Sequence, residues 1–166
     1  MTAPATRITR FEFVVLGVPA PKGSSRAMIR GGAAVNVPSG SNANRDALQS
    51  WGVSVRAAAV EQARHIHAAP GEAYGLVFGE VPLRLEIEFR MRRRKSDFKK
   101  DGTLKSDIPK FHTVKPDLSK LIRSTEDAMI GIVFLDDASI AELLVRKVYS
   151  APGSEGARIR ITELKP

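Results

Sequence analysis

Three aspartates bracket one short segment of the chain: Asp117 directly after a proline, and the adjacent pair Asp136 and Asp137. Carboxylates in this number suit phosphodiester hydrolysis, which needs an activated water and neutralised charge at the phosphate. A hard divalent cation supplies both, and Mg²⁺ takes oxygen from a few carboxylates while keeping several waters. The segment between the acids reads as a helix over 118–130. If that helix runs back antiparallel to the chain that follows, Asp117, Asp136 and Asp137 converge. Lys115, Lys120, Arg123 and Lys147 are the cations available to hold a phosphate or stabilise a transition state. Helix caps and turns also use aspartate, and more commonly. Residue type and spacing alone leave both uses open.

The elements that must position these acids are readable from periodicity. "FEFVVLGV" (11–18) reads as a strand, and "PAPKGSSR" (19–26) as a loop. Lys22 and Arg26 in that loop suit either a phosphate or a solvated turn. Residues 31–46 carry further turn residues and read as a mobile stretch, with Asn44 or Asp46 as a helix cap. A helix is expected over 47–67, because Leu48, Trp51, Val55 and the Ala58-Ala59 pair recur every three to four residues. Trp51 reads as a core anchor. His65 and His67 face different sides of that helix and carry no catalytic weight. "APGEAYG" ends the helix. "VPLRLEIEFRM" (81–91) alternates Leu83, Leu85, Ile87 and Phe89 with charged residues, the pattern of a strand buried on one face.

Residues 92–114 are polar, basic and aperiodic, so an extended or flexible loop is expected, with Phe98 and Phe111 as base-stacking or anchoring rings. In the 118–130 helix, Leu118, Leu121, Ile122, Thr125 and Met129 make the apolar stripe. Ser119, Arg123, Glu126 and Asp127 lie opposite, and Gly131 ends the helix. "IVFL" (132–135) reads as a short strand or extended segment, "IAELLVRKVYS" (140–150) as a strand, "APGSEG" as a hairpin loop and "ARIRITEL" as the returning strand. Strands and helices do not alternate strictly. The expected fold is α+β, a mixed sheet with helices packed on one face, in a single domain over 1–166.

The net charge of +8 and a pI near 10.1 point toward a polyanionic partner. Arg92, Arg93, Arg94, Lys95, Lys99, Lys100, Lys105, Lys110 and Lys115 fall in one stretch, the footprint expected of phosphate contacts. The chain has no cysteine, which excludes disulfides and thiolate metal sites. No apolar run is long enough to span a bilayer, and "MTAPATRITR" lacks the charged-then-apolar order of a secretory signal. A cytoplasmic protein without membrane contact is expected. No motif of the common RNA-binding modules is present.

"KPDLSKLIRSTEDAMIGIVFLDDASI" closely resembles the signature of the RusA family of Holliday junction resolvases. That signature runs K-P-D-x-D-N-L-x-K, then D-A-(L/M)-x-G, then a D-D pair and a later K-x-Y segment. Lys115, Pro116, Asp117, Leu121, Asp127, Ala128, Gly131, Asp136 and Asp137 match it, "RKVY" (146–149) matches the later segment, and "GVPAPKGSSR" (17–26) resembles the family's N-terminal motif. The resemblance implies a small α+β homodimer that cuts four-way DNA junctions by paired nicks, with Mg²⁺ (Mn²⁺ as substitute) and no small-molecule cofactor. It implies metal binding by Asp117, Asp136 and Asp137, with Arg123 at the family's catalytic lysine position. Lys22, Arg26, Arg92, Arg93, Arg94, Lys115, Lys120 and Lys147 are the expected DNA contacts. Three departures stand out: Ser119 replaces the second aspartate, Lys120 the asparagine and Arg123 the lysine. Serine is a weak neutral ligand, so the departures imply weaker Mg²⁺ affinity, and a protein that binds branched DNA without cutting is the alternative.

Overall fold

The computed structural model describes residues 8–39, 41–66 and 76–165. The "APGEAYG" break, His67 and the start of the chain lie outside them. Six strands and two long helices follow in the order β1 (Arg10–Leu16), β2 (Ser24–Arg30), β3 (Ala33–Ser39), α1 (Asn42–Ile66), β4 (Leu83–Met91), α2 (Leu118–Met129), β5 (Ile140–Tyr149) and β6 (Gly156–Glu163). Four of the strands form a mixed sheet in the order β1-β6-β4-β5, while β2 and β3 form a separate hairpin. The protein is therefore α+β, as its periodicity predicts. Among the described residues no helix is long and apolar enough to cross a membrane.

Alternation decides which sheet face is covered. Phe11, Phe13 and Val15 of β1, Leu83 through Met91 at every second position of β4, and Ala157, Ile159 and Ile161 of β6 are buried in one core. Trp51, Val55, Ala59 and Ala63 of α1 and Leu121, Ala128 and Met129 of α2 join it. The Trp51 ring lies 6.5 Å from that of Phe89, and its Nε1–H donates to Thr125 Oγ1 of α2 at 3.1 Å. Thr125 Oγ1 in turn donates to the Leu121 carbonyl at 2.8 Å. This buried polar pair fixes α2 against α1, because an indole N–H left without an acceptor there would cost about 1–3 kcal/mol.

The opposite face of the sheet is charged and largely paired within itself. Glu12 takes Arg158 at 2.5 Å and Arg160 at 3.1 Å, and Glu88 takes Arg146 at 2.5 Å. Hydrogen bonds from Arg10 and then Arg160 pull the Glu12 carboxyl down to about 2, against the upward push of burial.

Four expectations are corrected. The end of the expected 19–26 loop and the first part of the expected mobile stretch 31–46 instead belong to the β2–β3 hairpin, closed at Gly31 and Gly32 with φ of 60° and 80°. Two consecutive residues of positive φ make the tight turn whose twist matches a hairpin, and glycine supplies that conformation without strain. Helix α1 starts earlier than expected, at Asn42, with Ser41 rather than Asn44 or Asp46 at its head: the Asn44 amide donates to Ser41 Oγ at 3.3 Å. "IVFL" is not a strand. It wraps into a turn in which the Val133 amide donates to the Met129 carbonyl at 2.9 Å and Gly131 to Phe134 at 2.8 Å, and Val133 and Phe134 are buried. Finally, "APGSEG" does not close a hairpin. β5 pairs in parallel with β4, and β6 inserts between β4 and β1.

Candidate active site

The short run before α2 delivers Asp117. The Lys115–Pro116 peptide is cis, and Asp117 follows at the N-cap position with extended backbone, φ −67° and ψ 139°. Its carbonyl accepts the Leu121 amide at 3.2 Å and so starts the helix. Its carboxylate makes no capping hydrogen bond. The capping use open to it in the sequence is not taken up, and the side chain stands 57% exposed with Lys120 Nζ at 3.7 Å.

Lys147 arrives from β5 beneath the same run. Its ammonium donates to the Val114 and Pro116 carbonyls, each at 2.6 Å. Burial lowers its pKa, and the Asp117 charge opposes that shift, so the two side chains feel one another. Lys147 is expected from the sequence to meet DNA. Its donors here go to the two carbonyls that flank Lys115, immediately before Asp117, which makes it a brace for the acid.

The second acidic group lies beyond the other end of α2. Asp136 Oδ1 accepts the Ala138 amide at 2.8 Å and heads a single 3₁₀ turn, Asp137–Ser139. Asp137 is exposed. Its charge acts on Glu126, a half-buried residue of α2 whose pKa is raised by burial first, then by Asp137 and Asp127, with Arg123 opposing. Arg123, Glu126 and Asp137 are thus electrostatic neighbours. Asp127 instead pairs with Lys22 Nζ at 2.5 Å, and the Lys22 amide donates to the Lys120 carbonyl at 3.0 Å. These contacts tie the loop after β1 to α2. The ion pair itself is more than two-fifths exposed on both sides, so it adds at most about 1 kcal/mol.

Among the described residues, no group of three or more His, Cys, Asp or Glu is placed to hold a metal ion. Asp117, Asp136 and Asp137 do not form one cage within the chain. The reason is the turn at 130–134, where Ile130 bridges Phe134 and the chain does not run back along α2 as an extended strand. The acids divide into Asp117 with Lys120 and Lys147, and Asp137 with Glu126 and Arg123. Mg²⁺ is commonly held by one or two carboxylates, with water and substrate phosphate filling the remaining positions. Exposed aspartates of this kind fit an open Mg²⁺ site in donor chemistry and do not fit a closed protein cage.

The basic stretch is an irregular loop pinned at several points. Phe98 bridges Leu104, and Phe111 bridges Val148 of β5. The Asp97 side chain, 4% exposed, meets Arg94 at 3.2 Å and Arg93 at 3.8 Å, and both guanidinium groups lie over the Tyr149 ring at 5.8 and 5.2 Å. His112 also packs against that ring at 4.8 Å, and burial, then the charge of Lys147, lowers its pKa. Arg93 also donates to the Pro109 carbonyl at 3.2 Å. Its side chain is only 13% exposed, and these contacts anchor the loop. Arg92, Arg94, Lys95, Lys99, Lys100, Lys105, Lys110 and Lys115 remain on the outer surface. Arg26 lies on β2, and its side chain is outside the described residues.

Two participants escape a sequence reading. The neighbourhood of Glu126 and Asp137 depends on the 130–134 turn, which periodicity does not reveal. The Asp97–Arg93–Tyr149 anchor hides inside a charge run that looks solvated throughout. A conspicuous mixture of acid and aromatic within "RRRKSDF" was its only signal.

No curated protein matched the chain. The family profile described as Endodeoxyribonuclease RusA matches residues 39–162. That range takes in α1, β4, the basic loop, both acidic groups and Lys147, and leaves out "GVPAPKGSSR" and the β2–β3 turn. Since it covers most of the chain, with Asp117, Asp136 and Asp137 among the matched residues, the protein belongs to the RusA endodeoxyribonuclease family.

Proposed function

We propose that this protein is a Mg²⁺-dependent endonuclease that resolves four-way DNA junctions by paired nicks, acting as a homodimer in the cytoplasm. The carrying observation is the exposed Asp117 carboxylate, freed from helix capping and set between Lys120 and the braced Lys147 in a chain of the RusA family. Asp117 in one acidic group and Asp136 and Asp137 in the other are the candidate ligands for an open metal site, and a metal bound there supplies charge neutralisation and an activated water. Arg123, beside Glu126 and Asp137, is suited to the developing phosphate charge. The outward cations of the loop, with Lys115 and Lys120, carry the phosphate backbone. Paired nicks need two such sites, and a two-fold dimer matches the symmetry of the strands to be cut. The test is cleavage of a synthetic four-way junction beside linear duplex of the same sequence, in Mg²⁺ and in Mn²⁺. Symmetric nicking of the junction is expected, and an intact junction under both metals would refute the enzymatic reading.

Ser119 favours a second reading, in which the protein binds branched DNA without cutting it. It is an exposed residue of the first turn of α2, where the family signature has a carboxylate. This reading expects salt-sensitive junction binding with no product.

A further inference from the structure

Near its end, the loop between β4 and α2 lies along the last residues of β5 as an extended strap. Phe111 bridges Val148 in antiparallel sense, with the His112 amide donating to the Lys147 carbonyl and the Tyr149 amide to the Lys110 carbonyl, each at 3.0 Å. Successive side chains of an extended segment point to opposite sides. His112 takes the inner side, buried against the Tyr149 ring at 4.8 Å. Phe111 is therefore turned outward, and it stands 54% exposed. Backbone bonds and His112 already pin the strap, so the Phe111 ring is not what anchors it. Phe98, the other aromatic of the loop, is half-buried where its backbone bridges Leu104, and it fills the anchoring use. The surroundings of the Phe111 ring are cationic. The Lys110 ammonium lies 5.8 Å from the ring centroid, and Lys110 and Lys115, which flank the ring in sequence, are both exposed. The strap then runs on to Asp117. Lys147, whose carbonyl holds His112, also donates from its ammonium to the Val114 and Pro116 carbonyls. Ring and acid are thus fixed to one lysine. Six residues of extended chain reach at most about 20 Å, the rise of about six nucleotides along one strand.

We propose that Phe111 is a stacking platform for a nucleobase left unstacked at the branch point of the DNA, and that this contact separates branched DNA from linear duplex. The inference rests on the nuclease reading above and names the residue that gives it selectivity for structure. Lysine contacts to phosphate cannot supply that selectivity, because linear duplex presents the same backbone charge. Within a duplex both faces of each base are covered by its neighbours. A branch point interrupts the stack, so a base face is offered there at little unstacking cost. An aromatic ring beside cations that track the backbone is the combination that holds unstacked bases, and it tolerates any base because every base has a π-face. A second copy of the chain is a poor occupant of this surface, since two straps carrying Lys110 and Lys115 would repel one another.

The test is binding of a synthetic four-way junction, and of linear duplex of the same sequence, by the full chain in EDTA, which stops any cutting. Phe111→Ala is expected to lose about five- to a hundredfold in junction affinity, with duplex affinity and the salt dependence of binding unchanged. Phe111→Trp is expected to keep junction affinity and to add an emission that the junction quenches and the duplex does not. The chain's single tryptophan, Trp51, is 1% exposed and contributes a constant background. Circular dichroism checks that each variant folds. Equal losses on both DNAs, no loss on either, or a Phe111→Trp emission indifferent to the junction would overturn the stacking role. So would a changed mass of Phe111→Ala in light scattering, which would assign the ring to a contact between copies. Any of these beside a wild type that still nicks junctions in Mg²⁺ leaves the nuclease reading standing. A wild type that binds no junction would overturn both.

Discussion

Replacing Lys147 by methionine separates a brace from a DNA contact. The variant keeps the length and apolar stem of the side chain and removes the donors to the Val114 and Pro116 carbonyls, both 2.6 Å away. Two charge-assisted bonds of this kind are worth about 1.5–3 kcal/mol each when the acceptor cannot find water. The Val114 bond lies at an exposed position and the Pro116 bond at a half-buried one. Water recovers much of the loss, which leaves about 1–3 kcal/mol of destabilisation in urea or heat. The catalytic effect should exceed the binding effect. Asp117 follows directly after Pro116, and a shift of about 1 Å in a reacting group can cost about a hundredfold in rate. Junction cleavage by Lys147→Met should therefore fall by one to two orders of magnitude, while the slope of log binding constant against log salt stays at its wild-type value. If stability and cleavage per bound junction are unchanged and the salt slope falls by about 0.9, the value of one phosphate contact, Lys147 is a DNA ligand and the bracing argument is wrong.

Three further outcomes are expected. Thr125→Val leaves the Trp51 indole N–H without an acceptor between α1 and α2, and should lower unfolding free energy by about 1–3 kcal/mol in chemical denaturation. Because the Glu12 carboxyl is held near 2 in the folded state, its contribution is complete above the ordinary carboxylate pKa and is lost as pH falls toward 2. Glu12→Gln should flatten the stability profile between pH 5 and 2 by about 1–2 kcal/mol after solvent screening, and an unchanged profile would count against the sheet-face network. Ser119→Asp, read by junction cleavage at limiting Mg²⁺, should lower the metal concentration needed for half-maximal rate.

The strands with strict alternation and the two long helices were legible because burial imposes a period on the chain. Leu83 to Phe89 and the Trp51–Val55–Ala59 stripe carry that period whatever surrounds them. The β2–β3 hairpin has its turn signal in Gly31-Gly32, between two runs containing Met28, Ile29, Val35 and Val37, but the serine, proline and glycine around it give the same segment the composition of a loop. The placing of β6 between β1 and β4 was not legible, since strand partners far apart in sequence leave no local trace. The same holds for the site. The identities of Asp117, Asp136 and Asp137 stand out in the sequence. Their division into two groups follows from the turn at 130–134, where "IVFL" is apolar because Val133 and Phe134 plug the core and not because it is a strand. The free Asp117 carboxylate and the brace under it depend on Lys147, a residue thirty positions away whose charge reads as surface.

The central claim is that Asp117 holds the metal of a junction-cutting nuclease. Its most direct measurement compares wild type with Asp117→Asn on one labelled four-way junction, following nicking and binding together across Mg²⁺ and Mn²⁺ concentrations. The account predicts paired nicks from the wild type and, from Asp117→Asn, a loss of at least about a hundredfold in rate with junction affinity retained. Equal cutting by Asp117→Asn would contradict it.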